Sequence, residues 1–193
     1  MYTEKARSKR HLKQLIAMEM HLHGNQCSLN HIDISGLDDL SFVFAGSTFN
    51  GDISLWDTSN VECMDNMFEH STFNGDISKW NTSKVRRMEE MFCNSSFQGD
   101  LSQWDLSSLK RTYYVFNGDQ MHDSPLGVLA VAQGHARLPK DYPFKKEFQQ
   151  LVQLVESFDL DPGPKAKYLY EQLKTSPIFQ PLMVTPSNDV SFH

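Results

Sequence analysis

Phe49-Asn50-Gly51-Asp52-Ile53-Ser54-Leu55-Trp56 returns as Phe73-Asn74-Gly75-Asp76-Ile77-Ser78-Lys79-Trp80, and again as Phe97-Gln98-Gly99-Asp100-Leu101-Ser102-Gln103-Trp104, 24 residues apart each time. A fixed period of this length marks a solenoid, in which each unit is one coil that cannot bury its apolar face alone and must stack on its neighbours. The repeat moves the expectation away from catalysis and toward a surface presented to a partner.

Set out at 24 residues per row, the chain gives four rows: 25–48, 49–72, 73–96 and 97–120. The first lacks the Phe-Asn-Gly-Asp start, but Ile32-Asp33-Ile34-Ser35-Gly36-Leu37 falls under Trp56-Asp57-Thr58-Ser59-Asn60-Val61, and Leu40 and Phe44 fall under Met64 and Phe68. The fourth keeps Trp104-Asp105-Leu106-Ser107 and carries Val115-Phe116 where the others have Met-Phe. Degenerate end rows are expected, because a terminal coil faces solvent or a cap on one side. Val61, Met64 and Met67-Phe68 recur every three residues, which predicts one or two turns of 3₁₀ or α-helix in each row. Trp56-Asp57-Thr58 alternates as a short strand does. That places Trp56, Trp80 and Trp104 inward with Thr58, Thr82 and Leu106, and Asp57, Asn81 and Asp105 outward. Asn50-Gly51 and Asn74-Gly75 predict tight turns that use glycine's freedom at positive φ. The methionines Met64, Met67, Met88 and Met91 occupy repeat core positions, where a flexible thioether packs well.

The row Phe73-Asn74-Gly75-Asp76-Ile77-Ser78-Lys79-Trp80-Asn81-Thr82-Ser83-Lys84-Val85-Arg86-Arg87-Met88-Glu89-Glu90-Met91-Phe92 resembles the BspA-like class of bacterial leucine-rich repeats, found also in mycoplasma surface lipoproteins. The resemblance covers 25–120 and implies a leucine-rich-repeat fold and a binding role. Members of that class are mostly secreted or surface-anchored adhesion and interaction proteins, and the class supplies no catalytic residues to carry over. The chain departs from them in showing no signal sequence, no lipid-attachment cysteine after an apolar segment and no sorting tail. The expected fold class is therefore an α/β solenoid, a short leucine-rich-repeat stack of four 24-residue coils with helical N- and C-terminal caps.

The flanks supply the caps that a solenoid needs at both ends. Residues 4–23 read as an amphipathic helix with Leu12, Leu15, Ile16 and Met20 on one face and Gly24 as its stop. Ser124-Pro125 reads as an N-cap followed by a first-turn proline, opening a helix to about Gln133-Gly134. Phe144, Phe148, Leu151, Val152, Val155 and Phe158 form a helical stripe, which Asp161-Pro162-Gly163-Pro164 breaks before a shorter helix to about Lys174. Pro177, Pro181 and Pro186 predict an extended or disordered tail. The expected division is 1–24 N-terminal capping helix, 25–120 repeats, 121–176 helical cap and 177–193 tail. The C-terminal helices either close the fourth coil or form a docking unit of their own.

At 193 residues with a net charge of -6, the chain is long enough for a real core and is a poor candidate for nonspecific binding along nucleic acid. Cys27, Cys63 and Cys93 are odd in number and sit at different repeat positions, which predicts reduced thiols in a cytosol-like compartment. The basic N-terminus is followed only by Leu15-Ile16-Ala17-Met18 before Glu19, too short for a signal peptide. No run approaches the ~18–20 apolar residues of a membrane span. The expected location is the cytoplasm, or a host cell reached without a cleaved signal peptide.

Candidate chemistry lies in columns. Asp33, Asp57, Asn81 and Asp105 line one outward column and Asp52, Asp76 and Asp100 a second. Either column could invite a cation or a basic partner, or could cap turns by accepting neighbouring backbone N–H groups. Charges change sign along the stack, from Asp38, Asp39 and Glu62 to a basic patch of Lys84, Arg86, Arg87, Lys110 and Arg111. The patch suits an acidic protein or a phosphate backbone. The N-terminal cluster Lys5, Arg7, Lys9, Arg10 and Lys13 is a second basic candidate, without the interleaved aromatics that base stacking needs. His21-Leu22-His23 with Cys27 and His31 matches no zinc spacing, and Asp159-Leu160-Asp161-Pro162-Gly163 lacks the closing Glu of a calcium loop, since Tyr170 stands there. No phosphate loop, dinucleotide fingerprint or nucleophile elbow occurs, so no enzyme, cofactor or metal is expected.

The expected function is a protein–protein interaction module: a small intracellular effector, or a phage or mobile-element inhibitor that blocks a larger protein machine. Contact is expected through His31, Leu55, Lys79 and Gln103 together with Asp33, Asp57, Asn81 and Asp105. The alternatives are a nucleic-acid-associated factor using the Lys84–Arg111 patch, or a surface protein exported without a classical signal.

Overall fold

A computed structural model describes residues 4–112, 114–117 and 145–174. In chain order the elements are β1 (Glu4–Lys5), α1 (Lys9–His23), β2 (Ile32–Asp33), β3 (Phe92–Cys93), β4 (Phe116–Asn117), α2 (Lys145–Glu156) and α3 (Pro162–Lys174). The expected helix at 124–134 and the tail at 177–193 lie outside the described residues.

The recurring side chains of the rows lie over one another. The Trp56 and Trp80 rings stack at 6.3 Å and 7°, Trp80 and Trp104 at 6.5 Å and 9°. Phe49, Phe73 and Phe97 form a second pile at 6.1 and 6.3 Å, and Phe44, Phe68, Phe92 and Phe116 a third at 5.5, 5.7 and 5.2 Å. All of these rings are buried, as are Met64, Met67, Met88 and Met91. Burying each such side chain contributes about 1.5–3 kcal/mol, and all of them belong to one buried apolar cluster. The indole N–H of each tryptophan needs a partner in that interior, and finds one a row earlier: Trp56, Trp80 and Trp104 donate to the Leu29, Ile53 and Ile77 carbonyls at 2.9, 3.1 and 3.0 Å. Thr58 and Thr82 donate to the Asn81 and Asp105 carbonyls of the following row at 3.0 and 2.9 Å. Leu106 takes the threonine position in the fourth row, and its carbonyl lies against Gly163.

Backbone pairing runs between rows at the repeat interval. Parallel bridges join Ser28 to Asp52, and Asp39 to Cys63 to Arg87 to Arg111. β3 pairs in parallel with β4, Phe92 opposite Phe116. The expected strand at Trp56-Asp57-Thr58 is not one, although its burial alternates as anticipated. Asp57 closes a side-chain turn onto Ser59 there, and the Thr58 hydroxyl bonds the next row at the Asn81 carbonyl.

The expected helical turn at Val61–Phe68 is absent as well; that segment is a run of tight turns. Phe42, Asn66, Glu90 and Tyr114 all have φ between 51° and 60°, and four residues further along each row Gly46, His70 and Asn94 have φ of 65°, 52° and 53°. A left-handed residue every fourth position cannot propagate a right-handed helix. The freed N–H groups bond across rows: Phe42 to Asp65, Phe44 to Met67, Asn66 to Glu89 and Phe68 to Met91, at 2.7–3.0 Å. The repeat glycines also act differently from the expectation, since among the described residues the positive-φ glycines are Gly24 and Gly46. A Cβ at Gly51 would collide with the Cys27 carbonyl, so that position demands absence of bulk.

Both ends are covered. The N-terminal helix is shorter than the expected 4–23: Ser8 caps it, its hydroxyl accepting the His11 N–H at 3.2 Å, and Gly24 ends it at φ 81°. The residues before it form β1, which pairs in parallel with β2, Glu4 opposite Ile32. β1 thus occupies the place of a preceding row at that edge, and α1 lays Leu12, Leu15 and Ile16 into the core. At the other end Pro162 opens α3, where a first-turn proline is tolerated. Gly163 is buried there and donates to the Leu109 carbonyl at 3.3 Å, which seats α3 on the fourth row.

Candidate functional site

The outward acidic columns are turn-formers. Asp33, Asp57, Asn81 and Asp105 accept the N–H of the residue two ahead (Ser35, Ser59, Ser83 and Ser107) at 2.9, 3.0, 3.1 and 2.9 Å. Asp52, Asp76 and Asp100 do the same with Ser54, Ser78 and Ser102 at 2.9, 2.9 and 2.8 Å. The hydrogen bonds to Ser35 and Ser59 hold the Asp33 and Asp57 carboxyls below the ordinary range, and those to Ser54, Ser78 and Ser107 do so for Asp52, Asp76 and Asp105. These carboxylates stay ionised with at least one oxygen already engaged.

The side chains beside them vary from row to row on this constant frame. His31 is half-buried, with its Nε2 3.5 Å from Glu19 on α1, while Leu55, Lys79 and Gln103 are exposed. Leu55 is 77% exposed, a large apolar side chain held out by a backbone whose N–H is tied to Asn30 Oδ1 at 2.9 Å. Asn30 also donates to Asp52 at 2.6 Å. That clamp was missed in the sequence because Asn30 lies outside the recurring octapeptide.

The charged columns lie next to the Asp39–Cys63–Arg87–Arg111 bridges. A groove of about 490 Å³ runs there, lined by Asp38, Asp39, Glu62, Cys63, Arg86 and Arg87. Arg87 Nε is 3.2 Å from Asp65 and its Nη2 donates to the Cys63 sulfur at 3.1 Å. Arg86 Nε is 3.7 Å from Glu62, and Lys84 donates to Asn60 Oδ1 at 2.8 Å. Lys110 and Arg111 are exposed beyond the groove. The basic patch is therefore partly matched by the row before it, a pairing that the 24-residue offset would have revealed for Glu62–Arg86 and Asn60–Lys84.

Three of the five N-terminal basic residues are likewise engaged, while Arg7 and Arg10 are exposed. Lys9 reaches Asp39 and the Ser41 hydroxyl, both at 2.6 Å; Lys13 donates to the Phe42 carbonyl at 3.0 Å; Lys5 sits 3.5 Å from Asp33. Glu19 lies 3.7 Å from His23 and 3.5 Å from His31, fastening α1 to the first row. Among the described residues no three His, Cys, Asp or Glu side chains are grouped to hold a metal ion, and no helix is long and apolar enough to cross a membrane. Cys27, Cys63 and Cys93 form no disulfide. Burial raises the Cys27 and Cys63 pKa values, with the nearby Glu19 and Asp65 carboxylates adding to it, so neither is an activated nucleophile.

No curated protein and no solved structure matches the chain. A family model described as "Mycoplasma protein of unknown function, DUF285" matches residues 13–127, from within α1 past the fourth row's Phe116. That span is more than half of the chain and holds every recurring tryptophan, phenylalanine and turn aspartate, so the protein belongs to the DUF285 family of mycoplasma proteins.

Proposed function

We propose that the chain is a protein-binding module built as a short leucine-rich-repeat solenoid of the BspA-like class, four coils closed by helices, and that it acts without catalysis. In this reading it is a small effector or inhibitor working inside a cell, binding a larger protein through the exposed column of His31, Leu55, Lys79 and Gln103 and the turn carboxylates beside it. The supporting observation is the contrast between a frame that repeats at every 24th residue and an outward position whose chemistry changes at each row, with Leu55 77% exposed at its centre. A protein is favoured over a phosphate backbone because Arg86 and Arg87 already have carboxylate neighbours at 3.7 and 3.2 Å.

The test is affinity capture from the native host with quantitative mass spectrometry, using the wild type and Leu55→Asp as baits. A partner of this column should fall at least about tenfold with Leu55→Asp, the loss expected when a central apolar anchor is removed. Equal capture by both baits, or capture abolished by nuclease, rejects the reading.

A further inference from the structure

We infer that the face carrying Asp38, Glu62, Arg86 and Lys110 is self-complementary and pairs two copies of this chain in an antiparallel, two-fold arrangement. These four residues form one column, because the N–H groups of Glu62, Arg86 and Lys110 donate to the Asp38, Glu62 and Arg86 carbonyls at 2.7, 2.8 and 2.9 Å. All four side chains are exposed. Read along the stack their charges are minus, minus, plus, plus. Reversing that order and inverting every sign returns the same series, which is the condition a two-fold axis imposes on a surface that meets itself. With the axis between the second and third rows, Asp38 faces Lys110 of the partner subunit and Glu62 faces Arg86 of the partner subunit.

The order of charges is poor for the single chain. Neighbouring rows are separated by about 4.8 Å, and like charges directly opposite across a ladder repel. Alternating signs would give three favourable contacts within the column; the actual order gives one, Glu62–Arg86 at 3.7 Å, and two like-charge neighbours, Asp38–Glu62 and Arg86–Lys110. The adjacent column repeats the trend, Asp39 and Cys63 followed by Arg87 and Arg111, the last two directly bridged. The groove of about 490 Å³ between Asp38, Asp39, Glu62, Cys63, Arg86 and Arg87 gives room for long basic side chains, and Lys110 and Arg111 stand just outside it. A second copy laid antiparallel brings those two toward the acidic half of its partner's groove. Nothing in this pairing requires the Leu55 column, so it stands or falls separately from the binding role.

Sedimentation equilibrium of the full chain tests the pairing. At about 0.01 M salt, where charges act over roughly 30 Å, the wild type should be a dimer; at about 1 M, where they act over roughly 3 Å, it should dissociate. Glu62→Arg alone and Arg86→Glu alone each place like charges across the axis twice, and each should weaken self-association at least about tenfold with unchanged circular dichroism. Mixing those two variants restores opposite charges at both contacts, so they should form a heterodimer although neither pairs with itself. A wild type that stays monomeric at low salt, single variants that remain dimeric, or a mixture that fails to associate would each overturn the proposal.

Discussion

Asp76 shows how one residue type serves the whole outer surface. Its Oδ1 accepts the Ser78 N–H at 2.9 Å, and that bond holds the carboxyl below the ordinary range. A carboxyl with a lowered folded-state pKa stabilises the fold above its unfolded value, near 3.9, and loses that contribution as pH falls through the folded value. Asp33, Asp52, Asp57 and Asp105 share the direction and the cause, so acid should destabilise the protein below about pH 4 through several turns together. Asp76→Ala removes the acceptor and should cost about 0.5–1 kcal/mol at pH 7, the low end for a hydrogen bond because the site is open to solvent. Asp76→Asn keeps an oxygen in place and should cost less, while making the acid limb of the stability profile shallower. Urea unfolding at pH 7 and pH 3 distinguishes the variants. An asparagine variant as unstable as the alanine one would mean that the carboxylate matters for something other than its turn.

Between the rows and their caps, Gly163 is the tightest joint. It opens α3 in contact with the fourth row, and a Cβ there would meet the Leu106 carbonyl and lie 2.8 Å from the Leu109 Cβ. Gly163→Ala should therefore lift the start of α3 and cost about 1–3 kcal/mol, with hydrogen exchange accelerating in α3 more than in the middle rows. Gly36→Ala is the matched control, because its nearest neighbour is the flexible Lys5 side chain at 3.5 Å. Exchange accelerated equally throughout would remove α3 from the role of local cap. Elements like this were only partly legible beforehand. The buried columns of Trp56, Met64 and Phe68 and their counterparts could be read because apolar residues recur at a strict interval, whereas for the aspartate columns spacing alone left turn-capping and a cation or basic partner as alternatives. The left-handed positions could not, since Phe42, Glu90 and Tyr114 are not residue types that announce positive φ, and without that knowledge a three-residue apolar spacing reads as helix. Nor could spacing show that Lys9 and Lys13 turn inward to Asp39 and Phe42, because partners 29 or 30 residues away are set by how α1 packs.

For the molecule as a whole, stability of a stack should be a sum of row terms and nearest-neighbour terms, so that register matters more than length. Deleting residues 73–96 joins Thr72 to Phe97, the same junction type as Thr72 to Phe73. Trp56 would then lie against Trp104, Phe68 against Phe116, and Cys63 would bridge Arg111, each a contact of the kind already present. The shortened protein should fold and unfold cooperatively in urea, with lower stability and a smaller denaturant slope because less surface is buried. Deleting only 73–84 removes half as many residues but joins Thr72 to Val85, so that every later tryptophan and phenylalanine falls half a row out of place. It discards Trp80 and Ile77, puts Phe92 opposite Trp56 and Trp104 opposite Phe68, and leaves the Ile53 carbonyl and the Trp104 indole without their partners. That smaller deletion should give a chain with no cooperative transition by circular dichroism. Should the half-row deletion fold as well as the full-row one, the side-chain columns would not be what aligns the rows, and the backbone bridges between Asp39, Cys63, Arg87 and Arg111 would have to set the register alone.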